Sequence, residues 1–89
     1  MKIEISDEVV WREFEGEVVI LDLASQHYFG LTGAGNDMWQ LIAEHGSSDK
    51  VIEQLLTRYD VDPANLKADF EKLVNELAAK GMVRVSSAD

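Results

Sequence analysis

The stretch HYFGLTGAGNDMW, His27 to Trp39, joins two different periodicities within a few residues. Up to Gly30 the residues are aromatic and extended in character, and from Thr32 onward the apolar positions recur at helical spacing. Thr32 is a suitable N-cap, and Gly33 and Gly35 add almost no side-chain bulk to the first helical turn. So abrupt a junction suits structural punctuation, a catalytic loop or one edge of a binding site.

Upstream of the junction, VVWREF (Val9 to Phe14) and VVILDL (Val18 to Leu23) are rich in β-branched and aromatic residues and flank Glu15-Gly16. They read as a hairpin. In its second strand Val19, Leu21 and Leu23 share a wholly apolar face, whereas Val18, Ile20 and Asp22 share a mostly apolar one. Ala24 to Gln26 turns the chain into a short third strand, His27 to Gly30, expected at the edge of the sheet. Downstream, Ala34, Met38, Leu41 and Ile42 predict a helix over 33–45 that stops at Gly46. Ser47 or Ser48 caps a second helix with the stripe Val51, Ile52, Leu55, Leu56 and Tyr59. Asp62-Pro63 opens a third, over 63–80, with the stripe Leu66, Phe70, Leu73, Val74 and Leu77 before Gly81. Met82 to Val85 forms a last extended segment. The expectation is α+β: a three-stranded antiparallel sheet followed by three helices, winged-helix-like, in a single domain over residues 1–89.

The chain has 89 residues, of which 46% are hydrophobic, enough for one modest core. It has no cysteine, so disulfides and thiolate metal sites are excluded. No apolar run approaches the roughly 18 residues of a membrane span and no secretory signal opens the chain, so a cytoplasmic protein away from the membrane is expected. Eight Lys and Arg stand against 17 Asp and Glu, a net charge of −9. Nucleic-acid affinity comes largely from basic side chains on phosphates, so nucleic acid is not an expected partner.

Catalytic chemistry has little to stand on. His27 and His45 lie in no metal-ligand pattern, the helix carboxylates Glu53, Asp69, Glu71 and Glu76 read as solvated surface, and Gly33-Ala34-Gly35 lacks the rest of a dinucleotide fingerprint. No enzyme activity, cofactor or metal is expected. What remains is geometric. A short edge strand exposes unpaired N–H and C=O groups that an extended peptide can complete, and a neighbouring third helix would supply side-chain pockets. Taken alone, Phe70 and Leu77 read as ordinary core, and for Tyr28 and Phe29 the plain alternative is that one packs inward and the other covers the sheet.

From Val9 to Val85 the chain resembles the PqqD-like family, also called the RiPP recognition element, most specifically in YFGLTGAGNDMW with Gly46 and Tyr59-Asp60-Val61. The resemblance is strongest to the free-standing members of lasso-peptide pathways. It departs from PqqD proper, whose proline-glutamate-glycine turn and C-terminal tryptophan are replaced by Gln26-His27-Tyr28 and Gly81-Met82-Val83. The family implies a non-catalytic domain that binds the leader of a ribosomally made precursor peptide and presents it to a processing enzyme, for lasso peptides a separate leader protease. An alternative within the family is a peptide chaperone for another modifying enzyme, such as a radical enzyme of quinone-cofactor synthesis; outside it, an acidic winged-helix regulator. In the family the leader adds to the third strand beside the third helix. That implies His27, Tyr28, Phe29, Gly30 and Leu31 on the edge side, and Asp69, Phe70, Leu73, Val74 and Leu77 on the helix side.

Overall fold

The computed structural model describes residues 1–87. In chain order these form β1 (Lys2–Ile5), β2 (Val9–Phe14), β3 (Glu17–Asp22), β4 (Tyr28–Thr32), α1 (Gly33–His45), α2 (Ser48–Arg58), α3 (Pro63–Ala79) and β5 (Val83–Ser86). The antiparallel meander β2-β3-β4 and the three helices are as the sequence predicts. The third strand runs one residue later at its start and two at its end, Tyr28–Thr32 in place of His27–Gly30, and leads into α1 without a loop.

Glu15 and Gly16 both adopt positive φ, 52° and 80°, the pattern of a type I′ turn that suits the right-handed twist of a hairpin. The turn sets the register by pairing Phe14 with Glu17 and Trp11 with Ile20. Val9, Trp11, Val18, Ile20, Phe29 and Leu31 consequently share the face that carries the core. The wholly apolar face of β3 is therefore not the buried one: Val19 and Leu23 are exposed, while Val18, Ile20 and Asp22 point inward. Asp22 tolerates that position because its carboxylate is satisfied locally. Its Oδ1 accepts from the Ala24 N–H and its Oδ2 from the Ser25 hydroxyl, forming the turn into β4.

A second, two-stranded sheet lies beyond the expectation. The last extended segment is present, over Val83–Ser86 in place of Met82 to Val85, but it pairs with β1, at the other end of the chain, Ile3 opposite Val85. Glu4 reinforces the pair from between Lys2 and Arg84, which hold its carboxyl below the usual range, Lys2 the more strongly. In α1 the buried residues are Asn36, Met38, Trp39, Leu41 and Ile42, whereas Ala34 is exposed. Trp39 is fully enclosed and meets Trp11 edge to face at 6.0 Å. Gly46 ends α1 in the left-handed region, φ 66°, and Asp62 caps α3 by accepting from the Ala64 N–H. Thr32 and Ser47 occupy the N-cap positions of α1 and α2 without side-chain capping bonds. No helix among the described residues is long and apolar enough to cross a membrane.

Candidate functional site at the edge of the meander

β4 is the outer strand of the order β2-β3-β4, and its hydrogen-bonding phase follows from one contact at its start. The Asp22 N–H donates to the His27 carbonyl at 2.8 Å, so the Asp22 and His27 pair is a hydrogen-bonded one. Hydrogen-bonded and non-bonded pairs alternate along an antiparallel ladder. Phe29 and Leu31 therefore spend their main-chain groups on Ile20 and Val18, while Tyr28 and Gly30 turn theirs outward. The side chains alternate too. Tyr28, highly exposed at 78%, stands on the outer face of the sheet, whereas half-buried Phe29 and buried Leu31 stand on the core face.

The end of α3 approaches the same edge. Lys80, its C-cap residue, places its ammonium 5.5 Å from the centroid of the Phe29 ring. Residues two helical turns apart share a face, which puts Leu73 in line with Lys80, and Asp69 a further turn back. Leu73 is half-buried against the core and Asp69 is exposed. Between the start of β4 and the end of α3 lies a recess of 380 Å³ lined by Ser25, Gln26, His27, Tyr28, Lys80 and Met82.

The remaining helix-side residues are placed differently. Phe70, Val74 and Leu77 are all buried in the core. Phe70 and Val74 also line a separate 450 Å³ groove with Ile3, Ile52, Lys67 and Glu71, on the side of α3 toward α2 and β1. The structure thus brings His27 and Tyr28 to one recess with Lys80, sets the Phe29 ring under the Lys80 ammonium, puts Leu73 and Asp69 on the helix line that ends at Lys80, and leaves Phe70, Val74 and Leu77 in the core. Lys80 is absent from the residues the sequence suggests, although its spacing from Leu73 and its position before Gly81 carry the signal.

The match to a family model spans residues 17–83, and the model is that of coenzyme PQQ synthesis protein D (PqqD). No curated protein matches the chain in sequence. Among solved structures, the fold superposes on TbiB1 in complex with the TbiA(beta) leader peptide with a TM-score of 0.89 and 29% identity, over 96% of this chain and 99% of that one. It also superposes on a lasso peptide synthetase B1 complexed with its leader peptide, with a TM-score of 0.84 and 22% identity, over 96% of this chain and 100% of that one. The open aromatic edge, the helix lying beside it and a family match over most of the length agree: the chain belongs to the PqqD family.

Proposed function

We propose that the chain is a non-catalytic module that captures the leader of a ribosomally synthesised precursor peptide and presents it to a separate processing enzyme, the leader protease of a lasso-peptide route. The observation that carries this reading is the unpaired edge of β4, with Tyr28 and Gly30 offering main-chain donors and acceptors beside the Asp69, Leu73 and Lys80 face of α3. An extended peptide added there gains generic affinity from backbone pairing, and its alternate side chains meet Phe29, Leu31 and Leu73 on one side and Tyr28 on the other. His27 stands at the mouth of the recess, and Phe70, Val74 and Leu77 support the helix from the core. TbiB1, similar over nearly its whole length, was solved with a leader peptide, and the second similar structure is a lasso peptide synthetase B1 with a leader peptide; together they favour the lasso route. The family description favours the second reading, a peptide chaperone for a modifying enzyme of quinone-cofactor synthesis.

The test is a fluorescence anisotropy titration of labelled TbiA(beta) leader peptide with the purified chain. Saturable binding that unlabelled leader competes and a scrambled peptide does not is the expected result. A folded chain that binds leader and scrambled peptide equally would overturn the reading. Full-length precursor incubated with the chain alone is expected to stay uncleaved.

A further inference from the structure

Glu17 opens β3 on the outer face of the meander, opposite Thr32 and diagonal to Gly30. Its carboxylate does not stay over its own strand. A Cβ built on Gly30 would lie 3.1 Å from the Glu17 Oε2, so the carboxylate occupies the space that any side chain at position 30 would fill. Glu17 is exposed and has no ion-pair or hydrogen-bond partner among the described residues. Arg12, diagonal to it on β2, makes no ion pair with it. Gly30 is also one of the β4 residues, with Tyr28 and Thr32, that do not hydrogen-bond to β3 in the phase set by Asp22 and His27, so its main-chain groups face the open edge.

These placements meet at one point. A residue of an added strand that sits opposite Gly30 has its side chain on the outer face, about 5 Å from Gly30 across the pair. Nothing at position 30 separates it from the Glu17 carboxylate. We infer that Glu17 is a specificity-determining residue that selects a lysine or arginine, and rejects an acidic residue, at the peptide position paired with Gly30. The inference rests on leader capture at β4 and adds to it a charge preference at one register position. The glycine has a second role on this account: it leaves the room through which the carboxylate reaches the edge.

The probe is the TbiA(beta) leader peptide with each position replaced in turn by Lys and by Glu, titrated at low ionic strength, where an exposed pair is least screened. At one position the Lys peptide is expected to bind the parent chain about two- to fivefold tighter than the Glu peptide, the range of an exposed ion pair. That ratio is expected to fall in Glu17→Gln to the background level that the net charge gives at the other positions, and to drop below that level in Glu17→Lys. Gly30→Ala, whose new methyl meets only the flexible end of Glu17, should shrink the ratio by pushing the carboxylate away while the strand is kept. Melting curves check that each variant is folded. The inference is overturned if the Lys to Glu ratio is the same in the parent and in Glu17→Gln at every position. A folded parent that binds none of the peptides refutes leader capture itself, which is a separate outcome.

Discussion

Among the large apolar residues of α3, Leu66, Phe70, Val74 and Leu77 are buried and Leu73 alone keeps an accessible flank, on the line that ends at Lys80 over Phe29. Tyr28 is its counterpart on the strand, more exposed than any other large hydrophobic residue described. Side chains so placed contribute little to the core, so truncating them should cost affinity and spare the fold. Leu73→Ala and Tyr28→Ala are each expected to weaken leader binding by about 2 kcal/mol, roughly thirtyfold, with little change in melting temperature. Leu55, fully enclosed between the helices, is the control: Leu55→Ala should cost about 2–5 kcal/mol of stability while the folded fraction still binds. Anisotropy and thermal melts on the three variants separate the two roles. A different residue governs a pH effect. The Tyr59 hydroxyl donates to Asp37, joining the end of α2 to α1, and this bond, with some burial, raises the phenol above its ordinary value. A group whose folded pKa is raised contributes stability below its unfolded value, near 10, and loses it as pH climbs through the raised one. Tyr59→Phe is therefore expected to cost about 1 kcal/mol at neutral pH, a deficit that closes as denaturant titrations are carried into strongly alkaline buffer.

Strand addition makes an alternating demand on β4 that side-chain docking does not. The Tyr28 and Gly30 amides have no hydrogen-bond partner among the described residues, whereas Phe29 and Leu31 already donate to β3. Leader binding is expected to slow hydrogen exchange at Tyr28 and Gly30 and to change Phe29 and Leu31 little, as residue-resolved exchange by NMR would record. Protection of neither Tyr28 nor Gly30 would mean that the peptide lies on side chains alone. α3 is fixed for this task by its ends. Asp62 caps its start through the Ala64 N–H, and beyond Lys80 the chain turns through Gly81, at φ 75°, into β5. The helix is thereby tied to β1 and β5 at the end that lies nearest β4.

Across the whole molecule the net charge of −9 and the apolar character of the edge act at different ranges. The charge sets a long-range preference for basic peptides, which salt screens within about 8–10 Å at moderate ionic strength. Affinity built from main-chain pairing and apolar anchors is insensitive to salt. Leader binding is expected to weaken by less than about tenfold between roughly 50 and 500 mM salt, with the Glu17 preference the part that fades first. A larger loss, measured by the same titration, would point to electrostatic capture.

The order of three strands and three helices was legible because each element is specified by its neighbours in sequence: Glu15-Gly16 turns the hairpin, Gly46 stops α1, and Asp62-Pro63 starts α3. Local chemistry of this kind needs no partner from elsewhere in the chain. The open third strand was legible too, since a short last strand of a meander falls at its edge. Long-range pairing was not. The strand Lys2–Ile5 is too short to stand out, and its partner lies at the far end of the chain. Which face of β3 is buried was likewise decided in three dimensions, because Asp22 is tolerable inside only once its own turn satisfies it. The site divides in the same way. Sequence alone brought the aromatic edge and the stripe of α3 forward as a pair. Packing rotated α3 so that Phe70 and Val74 face α2 and β1, Lys80 reaches Phe29 at the edge, and Glu17 reaches the space that Gly30 leaves empty. Helical periodicity names the residues of a stripe, but the angle at which the stripe meets its neighbours is fixed by the packing of the whole core.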